Sequence, residues 1–155
     1  MESERIQVVS RSIEDTHNLA RALLRAIKEK PQNNGARVVL LRGDLGAGKT
    51  TFVVGFLDVL GIVPRQASPT FVLMKKYITK DEEIHTVYHI DAYRLTTPED
   101  AATLHLTEIL KNPHTVIFIE WPDHIDKGLF ADAIEVSFEH GQKENERVVS
   151  FWNVK

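Results

Sequence analysis

The chain has 155 residues, 43% hydrophobic and 26% charged, a composition that suits one soluble domain with a sizeable core. It holds no cysteine, which excludes disulfide frameworks, thiolate zinc sites and thiol nucleophiles, and its formal charge of -3 argues against a broad electrostatic grip on nucleic acid. The start "MESERIQVVS" lacks the basic residues and apolar stretch of a signal peptide, and no run approaches the roughly eighteen apolar residues of a membrane span. These features predict a cytoplasmic chain in which 1–155 form a single domain, with any RNA held through a partner.

In chain order, "IQVVS" predicts a short strand. Ser12 then caps a helix with Glu14 and Asp15 in its first turn, where the helix dipole favours acids. Its apolar positions Ile13, Leu19, Ala20, Leu23, Leu24 and Ile27 fall mostly on one face. Pro and Gly in "KEKPQNNGAR" end the helix, and "RVVLL" predicts a buried strand.

That strand runs into Gly43-Asp44-Leu45-Gly46-Ala47-Gly48-Lys49-Thr50, which satisfies G-x-x-x-x-G-K-[ST] at every fixed position. A triphosphate needs inward-turned backbone N–H groups, and glycines let the backbone approach it without a Cβ. A helix beginning near Gly48 adds its unpaired N–H groups and the positive end of its dipole. Lys49 is placed to reach the β and γ phosphates, and the Thr50 hydroxyl to bind Mg2+. The run "TTFVVGFLDVLG" has helical length with a closing glycine.

After a loop containing "ASPTF", the segments "TFVLMKKYIT" and "EIHTVYHIDAYRL" flank the turn "KDEE" and predict an antiparallel hairpin. Ser68 and Thr70 in that loop suit either a switch segment that senses the γ phosphate or ordinary turn chemistry. At period two, His85, Val87, His89, Asp91 and Tyr93 share one face. Such a face can be a structural hydrogen-bonded cluster or can position an attacking water, and it lacks a fourth ligand for zinc.

"TPEDAATLHLTEIL" carries a helix start, with Thr97 as cap and Pro98 at the first position. "HTVIFIEWPD" predicts a buried strand that delivers Glu120, either a metal-holding acid, since a carboxylate buried there is costly unless a metal or a donor pairs with it, or an acid at a solvated strand end. Trp121 beside it suits core packing and site packing equally. Two last strands, "AIEVSFE" and "RVVSFWNV", complete a three-layer P-loop α/β fold: a mixed central sheet with an antiparallel hairpin, and helices on both faces.

The ordered set "GDLGAGKTTFVVGFL", "SPTF", "YHIDAYRL" and "IEWPD" resembles the bacterial tRNA threonylcarbamoyladenosine biosynthesis ATPase family, TsaE, from about Ser12 to about Val154. The resemblance implies a small ATPase using ATP and Mg2+ to support modification of adenosine 37 in tRNAs reading codons that begin with A. It would act with a TsaD-type transferase and a TsaB-type paralogue, with low activity outside that complex. It implies that Asp44, Leu45, Gly46, Ala47, Gly48, Lys49, Thr50 and Thr51 hold the nucleotide, with Thr16 and Arg147 nearby. Thr50 and Glu120 would bind Mg2+, Lys49, Asp91 and Glu120 would serve hydrolysis, Ser68 and Thr70 would form the switch-like loop, and Trp121 would lie near the active site. The chain departs from the family pattern at His105, where glycine is common, and around Asp123 and Phe130. The rival reaction class is a small-molecule kinase, which needs an arginine-bearing lid; Arg65 and Arg94 are the obvious candidates for one. A nucleotide-dependent binding module is a further reading that overlaps with the family one.

Overall fold

The β-branched and aromatic runs assemble into one seven-stranded sheet, seen in a computed structural model that describes residues 4–30, 34–64, 74–95, 97, 99, 104–125, 130 and 132–154. The strands are β1 (Ile6–Ser10), β2 (Arg37–Gly43), β3 (Met74–Ile78), β4 (Thr86–Asp91), β5 (Thr115–Glu120), β6 (Ile134–His140) and β7 (Arg147–Trp152), in the order β1-β7-β6-β2-β5-β4-β3. The inner four, β6, β2, β5 and β4, are parallel, whereas β3 pairs antiparallel with β4, and β7 pairs antiparallel with both β6 and β1. The sheet is therefore mixed; the predicted hairpin forms as β3–β4, and the two last strands pair as a second one, β6–β7.

Alternation along the strands splits the core in two. Val39, Leu41, Val116, Phe118, Val136 and Phe138 face α1 (Ile13–Glu29) and α2 (Lys49–Val59). Val38, Leu40, Ile117 and Ile119 face the other way, against Leu106 of the short α3 (Leu106–Ile109) and against Ala92, Leu95 and Ile125. Aromatic edges lock α2 down: Phe52 meets Phe138 with ring centroids 5.6 Å apart, and Phe56 meets Phe118 at 4.8 Å. The rigid seat of α2 fixes the loop that precedes it.

Ser12 caps α1 as expected, accepting from the Asp15 N–H at 3.0 Å, although Ile13 in the first turn stays 68% exposed. The segment from Thr97 to Leu110 is not one continuous helix. His105 sits at φ 54, a left-handed conformation that no right-handed helix can run through, and α3 starts only after it. The position thus has the backbone that favours glycine, the residue common there in the family pattern.

The expected polar face of "HIDAYRL" is also divided. The chain leaves the strand after Asp91 and enters a 3-10 turn (Ala92–Arg94), so Tyr93 no longer follows the alternation. His85 precedes β4 and stacks on His114 at 4.3 Å, at the amino-terminal end of the parallel strands, away from His89 and Asp91.

Candidate functional site

The carboxyl ends of β2, β5 and β4 open on one side of the sheet, where ligands bind in open α/β folds. β2 ends at Gly43, whose φ is 146 and where a Cβ would lie 2.7 Å from the backbone oxygen of Phe138. No other residue fits that approach. The Ala47 N–H closes a turn onto the Asp44 carbonyl at 3.1 Å, and Gly48, at φ 114, caps α2 with its carbonyl accepting from the Phe52 N–H at 3.0 Å. The N–H groups of Lys49, Thr50 and Thr51 lie in the first turn of α2, where the helix offers them no acceptor. Leu45 is exposed at the tip of the loop, Ala47 is buried beneath it, and the Thr50 side chain is exposed.

Lys49 is 5% exposed, an unusual burial for an ammonium. Its Nζ donates to the Gly43 carbonyl at 2.6 Å and lies 4.1 Å from the centre of the Trp121 ring. Burial pushes its pKa down, and the carboxylates of Glu120, Asp91 and Asp44 pull the other way without overcoming it. Register places Leu41, Glu120 and Asp91 side by side on β2, β5 and β4, so the two acids stand together at the strand ends. Glu120 is 7% exposed, and its Oε2 accepts from His89 Nε2 at 3.1 Å. Its Oε1 receives no hydrogen bond among the described residues. Asp91 is exposed and caps the following turn, accepting from the Tyr93 N–H at 3.1 Å.

Trp121 follows Glu120 at φ 58, a left-handed conformation that is strained for a bulky residue. The bend lays its ring over Lys49 and against Tyr93, at 5.1 Å. Trp121 also packs against the core beneath the sheet, so its contacts serve both sequence readings.

The family model for "Threonylcarbamoyl adenosine biosynthesis protein TsaE" matches residues 10–149. The chain belongs to the TsaE family. Among curated relatives, the TsaE protein of Rickettsia felis is 38% identical over 88% of this chain and 74% of its own length. The TsaE protein of Bacillus subtilis is 32% identical over 94% of this chain and 85% of its own. The crystal structure of YdiB from Bacillus subtilis superposes with a TM-score of 0.67 at 24% identity, covering 100% of this chain and 89% of that one, a likeness of fold.

Arg147 lies against the P-loop, with Nη2 3.5 Å from the Gly46 carbonyl and Nη1 donating to the carbonyls of Glu144 at 2.7 Å and Glu146 at 2.9 Å. It pairs in register with Ser10, which brings the start of α1 to the same end of the sheet. Thr16 is buried there, its hydroxyl 2.7 Å from Ser10 Oγ. Ser68 and Thr70, with Arg65, fall outside the described residues.

Sequence reasoning missed three supports. His89 was one of a row of polar residues until the fold aimed it at Glu120. Arg42 bridges Asp123 at 2.8 Å and Glu135 at 3.1 Å, which ties the turn after Trp121 to the strand that bears the P-loop. His124 Nδ1 donates to the Ala92 carbonyl at 2.7 Å, joining the turns that follow Asp91 and Glu120. No local pattern marks these contacts, because each crosses between segments distant in sequence.

The donors suit a nucleotide with Mg2+. A first helical turn whose N–H groups the helix leaves without acceptors and a buried ammonium match phosphate oxygens. The Glu120 oxygen that takes no hydrogen bond among the described residues and the hydroxyl of Thr50 are hard oxygen ligands, the kind Mg2+ takes.

Proposed function

We propose that this chain is a Mg2+-dependent ATPase whose ATP binding and hydrolysis support formation of the threonylcarbamoyl group on adenosine 37 of tRNAs reading codons that start with A. It acts with a TsaD-type transferase and its TsaB-type paralogue, meets tRNA through that complex, and turns over slowly outside it. The setting is the cytoplasm; among the described residues no helix is long and apolar enough to cross a membrane. The observation that carries the reading is Lys49, buried at the head of α2 with Glu120 and Asp91 close enough to act on its charge.

In this reading the backbone from Asp44 through Leu45, Gly46, Ala47, Gly48, Lys49, Thr50 and Thr51 surrounds the phosphates. Lys49 exchanges the Gly43 carbonyl for the β and γ oxygens, leaving an acceptor without breaking any carboxylate pair. Thr50 and Glu120 hold the metal, and bound Mg2+ neutralises charge on the phosphate oxygens. Asp91, exposed at the strand end, orients the attacking water. Trp121 walls off one side of the lysine. Arg147 and Thr16 flank the loop on the β1–β7 side, and Ser68 and Thr70 supply the nucleotide-sensing loop.

The test is phosphate release from ATP with Mg2+, for the chain alone and with transferase, paralogue and tRNA added. Strong stimulation by the complex is expected. Release that the complex leaves unchanged, with phosphate transferred instead to a small-molecule acceptor, would overturn the reading in favour of a kinase. A Glu120→Ala variant should lose Mg2+ dependence of nucleotide binding more than it loses binding without metal.

A further inference from the structure

We infer that His89 is the positioning residue for Glu120: its Nε2–H holds one carboxylate oxygen and thereby presents the other to the metal of the nucleotide site. The inference rests on the site reading above and deepens it.

His89 lies on β4 in register with Phe118 of β5 and Lys75 of β3, one step before the pair Asp91 and Glu120. Its side chain is 13% exposed and that of Glu120 9% exposed, so the 3.1 Å contact between them is largely shielded from water. A carboxylate can only accept, so the histidine must donate from Nε2. That bond engages Oε2 and leaves Oε1 without a donor among the described residues.

Consider the side chain of Glu120 without this contact. A carboxylate buried to this degree requires a compensating donor, and the charged group acting on it from the other side is the ammonium of Lys49. Rotation of Glu120 onto that ammonium would remove the acid from the metal and the lysine from the phosphates at once. His89 prevents this by satisfying Oε2 from the side away from the P-loop, since β4 lies on the far side of β5 from β2. Carboxylates and imidazoles that bind metals are commonly held by such an outer hydrogen bond, and losing it lowers metal affinity on the order of 10- to 100-fold.

Reach gives a sharp test. Glutamine carries its amide nitrogen the same number of bonds from Cβ as histidine carries Nε2, asparagine carries it one bond short, and phenylalanine keeps the ring without any donor. The readout is the Mg2+ concentration giving half-maximal change in fluorescence of a bound fluorescent ATP analogue, measured alongside binding of the same analogue in chelator and thermal unfolding of each variant. His89→Phe and His89→Asn are expected to raise the Mg2+ midpoint about 10-fold or more, with binding in chelator within about twofold of the original chain, and His89→Gln to restore most of the loss.

A His89→Phe midpoint equal to that of the original chain, or glutamine no better than asparagine, would overturn the inference while leaving the site reading intact. An original chain whose nucleotide binding ignores Mg2+ would overturn both. If His89→Phe fails to fold, the glutamine and asparagine pair alone decides, because those two differ only in where the donor sits.

Discussion

Lys28 and Lys49 both belong to helices that pack on the same face of the sheet, yet they have opposite surroundings. At the amino-terminal end of the parallel strands, Lys28 meets Asp81 at 2.5 Å, and the same carboxylate accepts from the N–H groups of Glu83 and Ile84. Lys28 and Asp81 are thus each other's direct partner. At the carboxyl end, Lys49 is more deeply buried, is bonded only to a backbone carbonyl, and feels three carboxylates without a salt bridge to any of them. The first lysine completes a structural clamp; in the function proposed above, the second serves the phosphates of a nucleotide.

The two aspartates repeat the contrast. Burial alone would raise the pKa of Asp81, but the hydrogen bond from Lys28 and those from the Ile84 and Glu83 N–H groups outweigh it and hold the carboxyl below its ordinary range. Asp91 is exposed and, among the described residues, takes a hydrogen bond only from the N–H of its own turn.

The contrast breaks most visibly at Lys49. Lys49→Ala should reduce phosphate release on the order of 10²- to 10³-fold. Stability should hold or rise at pH 7, because the lowered pKa means that the buried ammonium opposes folding until pH climbs through its folded value. A clear drop in the unfolding midpoint at pH 7 would show that Lys49 is structural after all.

Asp91→Ala should keep ATP binding and lose turnover by about 100-fold or more, read from equilibrium binding beside single-turnover hydrolysis. Equal turnover would reduce Asp91 to a turn cap. Asp81→Ala should do the reverse. We expect a loss of about 2 kcal/mol in denaturant unfolding, because three donors to a charged acceptor are abandoned, with phosphate release unchanged. The folded pKa of Asp81 is depressed, so its contribution is present above about pH 4 and fades as pH falls through the folded value. The acid limb of the stability profile should therefore flatten in the variant.

The smallest effect belongs to Lys28→Gln. The amide can still donate to Asp81, and the ammonium is 34% exposed, so the loss should stay below about 1 kcal/mol and shrink in salt. A loss as large as that of Asp81→Ala would mean that the ion pair, and not the backbone bonds, holds the turn.

Most of the sheet was legible because its strands announce themselves locally. "RVVLL" and "VIFIE" are short apolar runs bounded by polar residues, and the two hairpins are marked by the polar turns "KDEE" and "HGQKEN". The helix assumed across His105 failed because a single left-handed residue interrupts it, and histidine does not signal that conformation as glycine does. The row from His85 to Tyr93 failed at its ends for a related reason. Alternation holds only while the chain remains a strand, and β4 is bounded by Thr86 and Asp91.

The sequence by itself determined the P-loop motif and the family. A P-loop is a contiguous string whose glycines, lysine and hydroxyl act within a few residues of one another, so its chemistry is written locally. Only the tertiary structure decided what surrounds it: Trp121 over Lys49, His89 against Glu120, Arg147 beside Gly46. Those contacts join positions from 31 to 101 residues apart where they are hydrogen bonds, and they exist because strand order and register bring separate chain segments to one end of the sheet.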